Sequence, residues 1–185
     1  RIISDNQIAT KKITFFDAPI SGGEAGAING TLSVMLGGGN KNSLIVRKLL
    51  KTFAKNIVHV GPNGHGQLTK MVNQICIAGL LQALSEALSF GRQKKLDMNK
   101  VLDAISQGAA QSWQMENRAE TMLADKFNFG FAIDLMIKDL KIALIEANNL
   151  GLRLDVTKDV LKKYKKLSHK GHGSLDTSSL IKLLK

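Results

Sequence analysis

Ile57-Val-His-Val-Gly-Pro-Asn-Gly-His-Gly-Gln-Leu-Thr-Lys-Met-Val-Asn-Gln74 is where this chain changes character. Up to Val60 the β-branched residues come in short runs closed by glycine or proline, the pattern of strands that end in turns. From Gly66 to about Lys95 the apolar residues recur at helical spacing, through Val72, Ile75, Leu80, Leu81, Leu84 and Leu88, interrupted only by Gly79 and Gly91. They cover an arc too wide for a surface helix, which predicts one long helix buried on nearly all sides. Upstream, the same reading predicts strands over Ile13–Ile20, Thr31–Leu36 and Ile57–Val60, with a helix from Asn42 to about Ala54. Strands alternating with a helix belong to an α/β sheet, and three short strands make only part of one. Downstream the chain reads as helices alone: Asp97 caps one that runs to about Gln107, and Gln111–Leu123 and Ala132–Leu150 follow, the latter stopped by Gly151. Thr157–Leu167 and Asp176–Leu184 complete the set, with Asp176 as N-cap.

The composition bounds the function. At 185 residues, 44% hydrophobic and 22% charged, the chain has the make-up of a globular protein of one or two domains with a real core. No run approaches the roughly 18 consecutive apolar residues of a membrane span, which predicts no membrane partner. One cysteine, Cys76, excludes a disulfide scaffold and a multi-cysteine zinc site, and fits a reducing compartment. The net charge of +11 raises the question of nucleic acid. Its lysine pairs, at 11–12, 94–95, 162–163 and 165–166, are scattered and lack interleaved aromatics. The charge therefore reads as a solvated surface that would suit a small anionic substrate. The chain opens at Arg1 with no secretory signal pattern, so the expectation is a cytoplasmic protein, processed or incomplete at its start; a matrix protein stripped of its transit peptide would read the same.

Three motifs can carry chemistry. Asp17-Ala-Pro-Ile-Ser-Gly-Gly-Glu-Ala-Gly-Ala27 places a serine hydroxyl beside small residues that expose backbone N–H groups, which is either an anion-holding turn or a plain strand-to-loop turn. Gly64-His-Gly-Gln-Leu-Thr-Lys70-Met-Val-Asn73-Gln74 puts Lys70, Asn73 and Gln74 on one helix face. A lysine in the first turns of an apolar helix is either an acid/base made usable by partial desolvation or a snorkelling surface residue. Phe131-Ala-Ile-Asp-Leu-Met-Ile-Lys138-Asp139 punctuates another apolar helix with charge. No Gly-x-Gly-x-x-Gly turn opens a helix after a strand, so the dinucleotide fingerprint is missing.

In this order and spacing the three motifs, with Gly171-His-Gly173 and Asp176-Thr-Ser-Ser near the end, resemble the β-hydroxyacid dehydrogenase family. The resemblance covers essentially the whole chain. It implies the C-terminal strands of a Rossmann-like NAD(P)-binding domain over residues 1–62, then an all-α substrate and dimerisation domain over 63–185, built on one long interdomain helix. It also implies roles. Ser21, Gly22 and Gly23 would bind the substrate carboxylate, Lys70 would be the catalytic lysine, and Asn73 would orient the substrate beside it. Gln74 stands where several members have a second asparagine. Lys138 would lie near the cofactor, with Phe131 walling the pocket. The cofactor would be NAD or NADP, and the substrate a small carboxylate-bearing hydroxyacid or aldehyde, in a homodimer or homotetramer. The family's pyrophosphate-binding half is not in the sequence, so this piece alone is expected to bind a nicotinamide cofactor poorly. Asp155 falls where many members have proline.

Two other functions fit parts of the sequence. A non-catalytic helical dimerisation module would use the broad apolar arc of Gly66–Lys95 to bury a partner. A nucleic-acid binder would use the positive charge and lose affinity steeply with salt.

Overall fold

A computed structural model describes residues 14–39 and 43–184. Ile13 and Asn42, the first residues of two predicted elements, lie outside the described residues, as does the 11–12 lysine pair. The described residues fall into two compact units, the first ending at Asn73 and the second beginning at Gln74.

The first unit is a small mixed sheet around one central strand. Strands β1 (Phe16–Asp17) and β2 (Ile20–Ser21) replace the single predicted strand over 13–20. Pro19, which has no N–H to give a ladder, sits in the gap between them. Both pair antiparallel with successive stretches of β3 (Leu32–Gly38), with Asp17 opposite Gly37 and Ser21 opposite Ser33. The predicted third strand is longer than expected: β4 (Ala54–Gly61) runs parallel to β3, and the connection between them carries helix α2 (Ser43–Leu50). Leu32, Val34, Leu36, Leu50, Ala54 and Ile57 form the core of this unit. A short helix α1 (Gly23–Ile28) follows β2 where only a turn was expected. Its glycines argue against a helix on propensity alone.

Helix α3 (His65–Gln93) begins in the first unit and continues in the second. Its extent matches the prediction, but its burial does not. Ala78, Leu81, Leu84 and Leu88 are buried, whereas Val72 is 61% exposed and Leu80 and Phe90 are also exposed. By length and composition α3 would also pass for a membrane span, although no uninterrupted apolar run announces it. Its buried stripe is that of a core helix, since Ala78, Leu81, Leu84 and Leu88 pack in helical clusters.

In the second unit, α4 (Met98–Ile105), α5 (Trp113–Leu123), α6 (Ile133–Asn149) and α7 (Asp155–Leu167) follow. Asp97 caps α4 as expected, accepting from the N–H groups of Asn99 and Lys100. Gly151 takes a positive φ of 68° just past the end of α6, the usual glycine stop. Helix α7 starts at Asp155, two residues before the predicted start, which places that carboxylate in a first turn where negative charge is favoured. The last predicted helix is a 3₁₀ segment, Thr177–Leu184. One cluster joins Ala78 and Leu81 to Ile133, Met136 and Leu140 of α6 and to Val160, Leu161, Tyr164 and Leu167 of α7. A second joins Leu84 and Leu88 to Met115, Ala119 and Met122 of α5 and to Phe127 and Ile181.

Tyr164 is the most deeply placed polar side chain of the first cluster, and its hydroxyl donates to the Thr177 carbonyl at 3.1 Å. Burial pushes its phenol well above the ordinary value, and the charge of Asp176 adds to the effect. The folded state therefore holds the proton that an unfolded chain releases near pH 10. Stability from this group is fully present below pH 10 and is lost as pH rises beyond it, by about 1.4 kcal/mol per unit. Phenolate absorbance of this single tyrosine should rise only together with unfolding. Phenolate appearing near pH 10 in the folded protein would contradict the buried placement.

Candidate active site

The site begins with how α3 starts. Position 64 would ordinarily hold a side chain that caps the helix, but Gly64 has none and a φ of 89°. The carboxylate of Asp17, 7% exposed on β1, takes that place. Its Oδ1 accepts from the N–H of Gly64 at 2.7 Å and its Oδ2 from the N–H of Gln67 at 2.8 Å. The contact requires glycines on both sides. A Cβ at Gly37 would meet Asp17 Oδ1 and stand 2.7 Å from the Gly66 nitrogen. A Cβ at Gly66 would meet the Met35 carbonyl oxygen and lie 2.9 Å from that of Asp17.

Gly66→Ala sets two effects against each other. Alanine gains about 1 kcal/mol of helix propensity. The backbone oxygens it meets cannot rotate away, so overpacking wins and the net change is destabilising by about 1–3 kcal/mol. A lower urea midpoint with unchanged slope is the expected result.

One turn into α3, Lys70 is half-buried and its Nζ donates to the carbonyl of Ile20 at 2.9 Å. That carbonyl belongs to β2, whose other residue is Ser21. The structure thus brings together two sequence candidates, Lys70 and the Ser21-Gly22-Gly23 turn. Gly22 and Gly23 take φ values of 130° and 61°, conformations that favour glycine, so the turn's backbone N–H groups depend on those residues. Asn73 stands three residues after Lys70 on the same face and is half-buried. Asp17 is the residue that sequence reasoning passed over. It opens the quoted motif, yet its partners lie 47 and 50 residues away.

The other candidates lie in the second unit. Gln74 is 1% exposed, and its amide donates to Asp139 at 2.7 Å, tying α3 to α6. Asp139 also pairs with Lys138 at 3.2 Å, and the two differ sharply: the lysine side chain is 64% exposed, the aspartate only 15%. Lys138 is thus an outward-facing lysine whose ammonium is paired with Asp139. Phe131 packs against the α3–α6–α7 cluster, and its backbone N–H donates to Asp176 at 2.9 Å. Among the described residues no group of three or more His, Cys, Asp or Glu is placed to hold a metal ion.

A small mixed sheet leads into a helical unit, and within the first unit a lysine is set beside a serine-glycine turn. Family comparison carries this further. Residues 64–184 match the family described as the NAD-binding domain of NADP-dependent 3-hydroxyisobutyrate dehydrogenase, and residues 3–61 match the NAD binding domain of 6-phosphogluconate dehydrogenase. The chain belongs to the β-hydroxyacid dehydrogenase family. It is 50% identical over 169 residues to an uncharacterized oxidoreductase of Shewanella frigidimarina, covering 91% of this chain and 58% of that protein. It is 41% identical over 170 residues to the 2-hydroxy-3-oxopropionate reductase of Escherichia coli, with 92% and 58% covered. The solved 3-hydroxyisobutyrate dehydrogenase of Mycobacterium tuberculosis, determined with L-serine, is similar at 29% identity and a TM-score of 0.84, with 92% of this chain and 60% of that one covered. The chain spans about three-fifths of the length of these relatives.

The described residues include both cofactor candidates. Lys138 offers a solvent-facing cation and Phe131 a half-buried aromatic face. No glycine-rich turn between a strand and a helix follows the pyrophosphate fingerprint among them.

Proposed function

We propose that the protein carrying this chain is an NAD(P)-dependent oxidoreductase acting on a small β-hydroxyacid or the corresponding semialdehyde, and that this chain supplies its substrate and proton-transfer residues. The observation that carries the reading is the 2.9 Å hydrogen bond from Lys70 Nζ to Ile20, which sets an amine beside the Ser21-Gly22-Gly23 turn. The nicotinamide, when bound, supplies the hydride acceptor or donor. The chain's own residues do the rest. The Ser21 hydroxyl and the N–H groups of Gly22 and Gly23 hold the substrate carboxylate. Lys70 Nζ accepts the hydroxyl proton as the alcohol carbon is oxidised, and returns a proton to the carbonyl oxygen in reduction. Asn73 hydrogen-bonds the substrate on the same helix face, and Lys138 and Phe131 serve the cofactor. No metal is needed for this proton step, because a side chain performs it.

The test is a turnover assay on the whole protein, following absorbance of the reduced nicotinamide with NAD or NADP and a panel of three- to five-carbon hydroxyacids. Turnover with at least one hydroxyacid, and none with the matching alcohol that lacks the carboxylate, supports the reading. Turnover on none of them overturns it.

One further observation favours pairing of the second unit with a copy of itself: Leu135, Ile142 and Ile145 on α6 are exposed. A homodimer or homotetramer would cover such apolar surface, and light scattering of the whole protein distinguishes these from a monomer. A non-catalytic dimerisation module would show the same assembly without turnover.

A further inference from the structure

The hydrogen bonds of Asp17 to Gly64 and Gln67 and that of Lys70 to Ile20 act on the same short stretch of chain. Asp17 is the last residue of β1, and Ile20 is the first of β2, with only Ala18 and Pro19 between them. Helix α3 grips the two ends of this stretch from successive turns. Its first turn is held by the Asp17 carboxylate through Gly64 and Gln67, and its second holds the Ile20 carbonyl through Lys70. Ser21 is the next residue. The distance between the lysine nitrogen and the serine-glycine turn is therefore set by where the first turn of α3 sits on β1.

That seat has little play. The Asp17 side chain is almost fully buried, both of its oxygens are used, and the helix backbone at Gly66 approaches the strands closely enough that a Cβ would touch Met35 and Asp17. A charged acceptor with two N–H donors is also stronger than a neutral cap, because the helix N-terminus carries positive partial charge. Alanine at 17 would leave two N–H groups without their acceptor in a dry place, and the first turn would have to move to find others.

We infer that Asp17 is a positioning residue for proton transfer: it sets Lys70 against the Ser21-Gly22-Gly23 turn without touching the substrate. This rests on the proposed dehydrogenase reading. The consequence is kinetic. A misplacement of about 1 Å in a reacting group costs on the order of 10²-fold in rate. The carboxylate-binding turn itself stays on β2, paired to β3 through Ile20–Val34 and Ser21–Ser33. Loss of Asp17 therefore falls on kcat rather than on KM for the hydroxyacid.

The experiment uses the whole protein with Asp17→Ala and Asp17→Asn, each normalised to folded protein by circular dichroism. For Asp17→Ala we expect kcat to fall about 10–100-fold, KM for the hydroxyacid to stay within about threefold, and the solvent deuterium isotope effect on kcat to rise as proton transfer becomes slower. Asp17→Asn keeps one acceptor oxygen and should recover part of the loss. A merely structural role would reduce the active fraction and leave the isotope effect unmoved, and that result overturns the inference. So does a kcat within threefold of the parent. If the parent protein turns over no hydroxyacid at all, the dehydrogenase reading fails by itself. The crystal structure of Asp17→Ala then decides the positioning: a Lys70–Ile20 contact kept at 2.9 Å overturns it, and a broken one sustains it.

Discussion

Lys70→Ala in the whole protein is expected to lower kcat by about 10²–10⁴-fold, the usual weight of a positioned acid–base group. The reasoning starts from where the side chain is. Lys70 is half-buried and its ammonium rests on the Ile20 carbonyl, so alanine leaves no cavity in the core of either unit. Stability should change by less than about 1 kcal/mol, as for an ordinary surface substitution. The loss is then chemical. Lys70→Arg separates charge from proton transfer, since a guanidinium stays protonated at every working pH. If Lys70 only attracted the carboxylate, arginine would retain most of the activity and alanine would raise KM. If it moves the proton, the two variants fail alike in kcat. Turnover of Lys70→Ala within threefold of the parent would remove it from the mechanism.

The largest effect on stability is expected at Asp176. Its carboxylate is 1% exposed and serves four donors: the Phe131 N–H at 2.9 Å, the Ser178 N–H at 3.0 Å, the Ser178 hydroxyl at 2.5 Å, and the Arg118 Nε at 3.2 Å. Arg118 is itself mostly buried, its guanidinium 5.0 Å from the ring centroids of both Trp113 and Phe129. Asp176→Ala would strand that cation and two N–H groups, and removing one member of a buried pair costs about 3–5 kcal/mol. That is a large share of the roughly 5–15 kcal/mol that holds a domain folded. The exposed pair Lys162–Asp159, at the same 3.2 Å, makes the comparison. Asp159→Ala should cost no more than about 1 kcal/mol, since water screens that pair. Denaturant unfolding of the two variants side by side checks both numbers. Equal losses would mean that the Asp176 network holds the fold no better than an exposed ion pair.

These two residues also mark what the sequence discloses. Long-period patterns were legible: α3, α5 and α6 follow from apolar spacing, and Asp97 and Gly151 from local capping rules, because each depends on residues within one or two turns. Asp176 was legible only as a local cap, through Ser178. Its partner Arg118 lies 58 residues upstream, and no short-range rule links the two. Asp17 was less legible still, since capping rules inspect the residue before the helix and find Gly64. Helix α1 was hidden by its own glycines, and the strand pattern runs straight through Pro19, where the first strand divides. The breadth of the apolar arc on α3 misled in the opposite direction. Spacing tells which residues are apolar, whereas burial depends on how many neighbouring helices exist to meet them.

The borrowed cap of α3 also orders events in time. A helix with its own N-cap closes its first turn within nanoseconds to microseconds of forming. Here the acceptor stands 47 residues upstream, and closing a loop of that length costs roughly 3 kcal/mol, up to an additive constant. Two hydrogen bonds to a carboxylate return about the same amount, so they cannot nucleate the contact. The sheet must form first, with β1 seated on β3, before the start of α3 has anything to close against. Lys70 therefore reaches its place as one of the late steps of folding, and a chain with its helices made is not yet a chain with its amine in position.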